Sequence, residues 1–280
     1  MNPLITAEAL KQLPTDSYIL IDAGSGGTSR DHYLEKHLQG ALYLDLNEDL
    51  AAVPQNPAQG GRHPLPPIER FKETLLNIGI EQGKHIIVYD DKNAANATAR
   101  LWWMLRAVGL EKVQVLDGGL SAAARAGFPM VQGEEQPQKA TQKLTATHWL
   151  LPTADLEEVK ENYTQKDYTI IDVRSAERYQ GKEEPIDLTA GHIPNALNMP
   201  FTENLNAEGQ FQSPEVLRQH YEKVLKLPEQ TVVHCGSGVT ACHTILAMAA
   251  AGLPLPKLYV GSWSEWSRND LPIATEEARF

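Results

Sequence analysis

The 280-residue sequence predicts an α/β protein made of two tandem domains, each a mainly parallel sheet flanked by helices. Three observations predict it. Short β-branched runs alternate with Ala- and Leu-rich helical stretches, four short motifs recur in the same order in both halves, and a polar stretch separates the halves. In the first half, residues 18–22, 85–89 and 113–116 read as strands, and 68–78 and 97–108 as helices. The second half repeats the alternation.

The repeat carries the domain division. Leu20-Ile21-Asp22-Ala23, His37-Leu38-Gln39-Gly40-Ala41, Ile87-Val88-Tyr89-Asp90 and Leu116-Asp117-Gly118-Gly119 return as Ile171-Asp172-Val173-Arg174, Gly191-His192-Ile193-Pro194-Asn195-Ala196, Val233-His234-Cys235 and Gly261-Ser262-Trp263. Their shift along the chain is nearly constant, as in a tandem duplication. Residues 129–145 are rich in Gln, Glu, Lys and Gly and poor in aliphatics, so they are expected to form a surface linker. The expected domains are residues 1–130 and 147–280, joined by residues 131–146.

Composition sets broad limits. With 42% hydrophobic and 22% charged residues, each half is large enough for its own core. A net charge of −11 opposes nonspecific nucleic-acid binding. The start, Met1-Asn2-Pro3-Leu4-Ile5-Thr6, shows neither a cationic segment nor a long apolar run, so neither export nor a membrane is expected. Two cysteines make no disulfide framework, and a cytoplasmic location with reduced thiols is expected.

Residues Val233-His234-Cys235-Gly236-Ser237-Gly238-Val239-Thr240-Ala241 carry most of the functional signal. Thr231-Val232-Val233 reads as a buried strand, and residues 240–251, closed by Gly252 and Pro254, read as a helix. Cys235 falls at their junction. Two glycines let the intervening backbone curl with its N–H groups inward, a nest for an anion at the positive end of a helix. A thiolate is such an anion, which makes Cys235 the expected nucleophile. Gly236, Gly238, Val239 and Thr240 are expected to bind anionic substrate through the loop backbone.

The loop Cys235-Gly236-Ser237-Gly238-Val239-Thr240 resembles the active loop of the rhodanese superfamily, in the form typical of its 3-mercaptopyruvate sulfurtransferases. The other motifs lie in the order of that family's tandem-domain members. The resemblance implies that the N-terminal copy is catalytically silent. Here Asp90 aligns with Cys235, and Asp91-Lys92-Asn93-Ala94 lacks the glycines. It further implies sulfur transfer through a Cys235 persulfide to a thiol such as thioredoxin or glutathione, or to cyanide; two fused copies need no second chain, so a monomer is expected, and no metal or cofactor is expected.

Site residues follow from the same resemblance. Arg178, in Glu177-Arg178-Tyr179-Gln180-Gly181, matches the substrate-binding arginine, and one guanidinium fork suits one carboxylate. A second arginine follows a Glu-Pro pair in mercaptopyruvate enzymes; here Glu184-Pro185 leads to Ile186, with Lys182 as a point-charge substitute. Arg62-His63-Pro64-Leu65-Pro66 matches the first-domain segment whose histidine joins Ser237 in a serine–histidine–acid relay. The family's aspartate is replaced by Asn47, with Asp45, Glu48 and Asp49 close by, and Asp49 is the expected acid. Arg174 is expected to tune the potential of the loop. Asp172 and His192 recur as Asp22 and His37 in the copy that lacks the nucleophile, so they are expected to be scaffold.

Thiosulfate-preferring relatives carry basic residues after the cysteine, whereas Gly236 and Ser237 are neutral. Mercaptopyruvate is therefore the favoured donor, with thiosulfate sulfurtransfer and a noncatalytic sulfur carrier as alternatives. A Cys-x5-Arg phosphatase is excluded, because position 241 is Ala. His234 and His243 near the cysteines lack the spacing of a structural zinc site, and Gly24-Ser25-Gly26-Gly27 fails the dinucleotide pattern at Ser29. Cys242 and the four tryptophans at 102, 103, 263 and 266 are expected in packed interiors, and Arg100 in a structural ion pair.

Overall fold

The run Ile86-Ile87-Val88-Tyr89 contains no charged side chain and is buried at every position, as a parallel strand covered on both faces must be. Such strands organise both units of the computed structural model, which describes residues 1–225 and 227–275. The first unit comprises residues 1–52, 65–151 and 207–211, and the second residues 53–64, 152–206 and 212–280.

In the first unit, β1 (Leu4–Ile5), β2 (Ile19–Gly24), β4 (Ala41–Asp45), β5 (Ile86–Tyr89) and β6 (Val113–Leu116) form a parallel sheet of order β1-β6-β5-β2-β4. Helices α1 (Ala7–Lys11), α2 (Ser29–Glu35), α3 (Ile68–Asn77), α4 (Ala97–Ala107) and α5 (Gly119–Arg125) connect its strands. A short antiparallel pair joins β3 (His37–Leu38) to β7 (Met130–Val131). Ile87, Tyr89, Leu10 and Leu20 lie in its core, and Trp102 and Trp103 on α4 are buried as expected. Arg100 is fully buried beside them in sequence.

The second unit repeats this order with β8 (Thr153–Ala154), β9 (Thr169–Asp172), β10 (Leu197–Asn198), β11 (Thr231–His234) and β12 (Lys257–Tyr259), arranged β8-β12-β11-β9-β10 and again parallel. Its helices are α6 (Leu156–Asn162), α7 (Ala176–Tyr179), α8 (Pro214–Tyr221), α9 (Ala241–Ala250) and α10 (Ser262–Trp266). Even the register is shared: His234 pairs with Asp172 as Tyr89 pairs with Asp22. Trp263 and Trp266 pack with Tyr179 and Tyr259 in this core.

The division differs from the sequence expectation in two ways. Residues 131–146 are mostly exposed, as their composition requires, yet they run along the first unit. The Gly40 amide donates to Glu135, the Ala140 amide to the Leu76 carbonyl, and Thr141 to Glu81, so backbone and carboxylate bonds hold what aliphatic packing does not. Residues 53–64, from the first half of the sequence, belong to the second unit. The Gly60 amide donates to Glu265 (2.7 Å), the Arg62 amide to Ser264 Oγ (3.0 Å), and Asn269 to the Ala58 carbonyl (2.9 Å).

Candidate active site

Cys235 stands one residue beyond the C-terminal end of β11, the second-unit strand between β9 and β12, where ligand sites of parallel sheets lie. The loop that follows is clamped from one side. The Cys235 amide donates to Ser262 Oγ (3.2 Å), the Cys235 carbonyl accepts from Trp263 N–H (3.1 Å), and the Gly236 carbonyl accepts from Ser264 N–H (2.8 Å). Gly238 has φ +72°, and a Cβ there would collide with the Val260 carbonyl. Only glycine closes this loop.

Among the described residues, the N–H groups of Gly236, Ser237, Val239 and Thr240 meet no acceptor. Free donors before an α-helix form an anion site. Cys235, Ser237 and Val239 are all largely buried, so an anion bound there would be poorly screened by water. Beneath the loop, Cys242 is fully buried and its thiol donates to the Gly238 carbonyl (3.4 Å), a packing role.

Ser237 Oγ lies 2.8 Å from His63 Nδ1, so the structure brings together the serine and histidine of the expected relay. Asp49 belongs to the first unit, where its carboxylate accepts the Asp45 amide (2.8 Å). Burial raises its pKa, partly offset by that bond and by Arg70. Its placement is that of a turn-closing acceptor after β4.

Two arginines with different duties flank the cysteine. Arg174 is buried and fully committed: Nε and Nη2 donate to Asp172, Nη1 to Glu184 and Nη2 also to the Gly191 carbonyl, and the group lies 4.7 Å over the Trp263 ring. Burial alone would raise the Asp172 carboxyl, but Arg174 and His234 outweigh it and hold the acid below its ordinary value. Arg174 therefore acts on the loop by its field, with no nitrogen left for a substrate fork. Arg178 is more open. Its Nε (3.2 Å) and Nη2 (2.7 Å) both donate to Glu184, and Nη2 is 3.5 Å from Asp187 Oδ2.

Sequence reading missed the groups that organise these cations. Asp187, its side chain fully buried, takes Arg62 Nη1 and Arg268 Nη1 (2.9 Å) on one oxygen, with Arg178 near the other. Arg62, Arg174, Arg178 and Arg268 against Asp172, Glu184 and Asp187 leave one net positive charge beside the loop. Ser262 and Ser264 lay within a motif already recognised, and Arg62 beside the histidine that drew attention. Asp187 gave no signal, being one acid in a polar loop.

The scaffold residues show what duplication preserves. His37 stacks on Tyr33 and meets its carbonyl through Nδ1 at 2.7 Å; His192 does the same with Tyr179, also at 2.7 Å. In the first copy, Asp90 Oδ1 accepts the amides of Lys92 and Ala94 (both 2.9 Å), with Asn93 and Ala94 at positive φ. The first copy's loop turns two of its amides onto its own side chain.

A cysteine held by a glycine loop in the second of two duplicated α/β units defines a class of protein that works through one reactive sulfur. Residues 6–126 and 155–269 match the rhodanese-like domain, and the chain belongs to that family. It is 40% identical over 247 residues to the "Probable 3-mercaptopyruvate sulfurtransferase" of Pseudomonas aeruginosa, covering 87% of this chain and 86% of that one. Identity to the thiosulfate sulfurtransferase of Mus musculus is 35% over 249 residues, covering 87% and 82%. The 3-mercaptopyruvate sulfurtransferase structure from Leishmania major superposes with a TM-score of 0.81 at 30% identity, over 95% of this chain and 75% of that one.

Proposed function

We propose that this protein is a sulfurtransferase that moves one sulfur from 3-mercaptopyruvate through a Cys235 persulfide to a thiol or cyanide. The observation that carries this reading is the loop itself: a cysteine followed by the amides of Gly236, Ser237, Val239 and Thr240, which meet no acceptor among the described residues, with Ser237 Oγ 2.8 Å from His63 Nδ1.

In the first half-reaction the Cys235 thiolate attacks the donor's sulfur, an S–S bond forms, and the C–S electron pair leaves on carbon as the enolate of pyruvate. That carbanion takes a proton, for which Ser237 and His63 are the nearest relay, and pyruvate departs. In the second, an acceptor thiolate attacks the outer sulfur, and Cys235 regains its electron pair. The amides of Gly236, Ser237, Val239 and Thr240 hold the anionic sulfur in both. The two half-reactions predict ping-pong kinetics.

The neutral pair Gly236-Ser237 supports the monoanionic keto acid over thiosulfate. Thioredoxin, glutathione or cyanide are the acceptors we infer, with the chain acting as a monomer. A cytoplasmic setting suits the reduced thiols of Cys235 and Cys242. No described helix is long and apolar enough to cross a membrane.

Intact-mass measurement after incubation with each donor tests the reading. The chain is expected to gain one sulfur, absent in Cys235→Ser, with the higher kcat/KM for 3-mercaptopyruvate. Higher efficiency with thiosulfate would assign the alternative donor, and loading without turnover a carrier role.

A further inference from the structure

One helix holds both the cysteine loop and the segment that carries His63. Toward the loop, α10 offers Ser262 Oγ, which accepts the Cys235 amide (3.2 Å), and the amides of Trp263 and Ser264, which donate to the Cys235 and Gly236 carbonyls. Its other contacts go to residues 58–62. Pro54, Pro57 and Pro64 deny that segment a regular ladder, and its residues form only turns and irregular backbone. Its amides divide accordingly. Those of Ala58, Gln59 and Gly61 close the segment's own turns on Asn56 and Pro57, while those of Gly60 and Arg62 donate to Glu265 Oε1 (2.7 Å) and Ser264 Oγ (3.0 Å). Gly61, at φ +79°, lies so near the helix that a Cβ would stand 2.3 Å from the Gly261 carbonyl oxygen.

The duplication singles out Glu265. In the first copy, α5 clamps its loop in the same way, the Leu120 amide donating to the Asp90 carbonyl (2.9 Å) as the Trp263 amide donates to that of Cys235 (3.1 Å). Counting on from that pair, Ser121 stands opposite Ser264 and Ala122 opposite Glu265. The backbone clamp is common to both copies, and the carboxylate belongs to the copy with the nucleophile. Glu265 is 8% exposed, and burial pushes its carboxyl up, the Gly60 amide giving the largest offset. A buried acid is costly unless bonded, and this bond reaches the segment that carries His63.

We infer that Glu265 is a positioning residue, which sets His63 against Ser237 by holding the Gly60 amide on the helix that also holds the cysteine loop. The inference rests on the sulfurtransferase reading for what His63 then does, the protonation of the leaving enolate.

Sulfur loading in a single turnover tests it. Glu265→Ala is expected to load from 3-mercaptopyruvate about 10- to 100-fold more slowly, the effect of a relay misplaced by about 1 Å, and from thiosulfate within about threefold of the parent. Glu265→Gln keeps an oxygen for the Gly60 amide and is expected to load within about threefold of the parent from both donors. Because the effect runs through His63, Glu265→Ala added to His63→Gln is expected to slow loading less than about twofold further. The inference is overturned if His63→Gln discriminates between the donors and Glu265→Ala does not, if the second substitution brings its full further loss, or if glutamine fails to rescue. The ring-nitrogen NMR signal of His63, assigned by its disappearance in His63→Gln, reads the placement without turnover. It is expected to shift in Glu265→Ala and stay in Glu265→Gln; an unmoved signal in Glu265→Ala would also overturn the inference. Should Glu265→Ala fail to fold, Gly61→Ala pushes the segment off α10 and leaves the helix's own side chains intact. The same donor-selective loss then supports the inference, and parent-like loading from both donors removes it. If His63→Gln slows both donors alike while its signal still shifts in Glu265→Ala, the relay reading falls and the placement of His63 by Glu265 stands.

Discussion

His63 Nδ1 and Ser237 Oγ are 2.8 Å apart although 174 positions separate them in the chain. Their contact exists because residues 53–64 are bonded into the second unit through Gly60, Arg62 and Asn269. A proton relay has a donor-specific signature. The enolate from mercaptopyruvate must be protonated, whereas sulfite leaves thiosulfate as a stable anion. His63→Gln is expected to slow sulfur loading from mercaptopyruvate about 10²- to 10³-fold and from thiosulfate less than about tenfold, by single-turnover mass spectrometry. Equal slowing with both donors would assign His63 to loop support alone.

Asp187 sets the charge of the same region by taking three guanidiniums on one buried carboxylate. In Asp187→Asn the arginines remain and the positive charge beside the loop rises by one. A dianion gains more than a monoanion from that extra charge, by about 1 kcal/mol at contact distance even with water's full screening. The ratio of kcat/KM for thiosulfate to that for mercaptopyruvate is expected to rise roughly fivefold. The chain is also expected to lose about 3 kcal/mol of stability, because cations held around a buried acid are left uncompensated. Urea titration measures the second effect, and steady-state rates the first.

The parallel sheets were legible in the sequence because β-branched runs such as Thr231-Val232-Val233 have no other place to be buried, and the observed strand Thr231–His234 differs by one residue. The nucleophile was legible too, since Gly238 closes a turn that other residues cannot make. Strand β4 was not, because its Tyr43 and Asp45 side chains interrupt the apolar pattern. Arg62 and Asp187 were hidden for a different reason. Their meaning comes from meeting each other across 125 positions, and nothing local in an arginine or an aspartate announces its partner. Nor could composition show that residues 131–146 are tied down by carboxylates such as Glu81 and Glu135.

Asp22 occupies the register of Asp172 but has no arginine two residues on, where Gly24 stands. Burial drives its carboxyl up to about 7, partly opposed by a hydrogen bond from Tyr89 and reinforced by Asp90 and Asp91. Between the ordinary carboxylate pKa and about 7, the folded chain keeps a proton that the unfolded chain has lost, so this residue lowers stability as pH rises through that window. Asp22→Asn is therefore expected to stabilise the chain at pH 8 by on the order of 2–4 kcal/mol, the gain shrinking toward zero near pH 4. Urea midpoints at both pH values measure it. A gain of equal size at both would show that packing, and not ionisation, is responsible.

Asp90 follows β5 as Cys235 follows β11, and its carboxylate already satisfies the amides of Lys92 and Ala94. Asp90→Cys places a thiol at the equivalent position without rebuilding the site. Asn93 and Ala94 adopt positive φ without being glycine, and a thiol sulfur is a weaker acceptor than the oxygen it replaces. The two amides lose their partner, which is expected to cost about 1–3 kcal/mol of stability. Among the described residues no arginine is bonded to Asp22 as Arg174 is to Asp172, so the new thiol also lacks that neighbouring cation. Incubation with 3-mercaptopyruvate is expected to add one sulfur per chain to Asp90→Cys, as to the parent, and none when Cys235→Ser is combined with it. Loading at residue 90 in that double variant would mean that a strand-end cysteine alone suffices, and that the glycine loop and its arginines are dispensable for the first half-reaction.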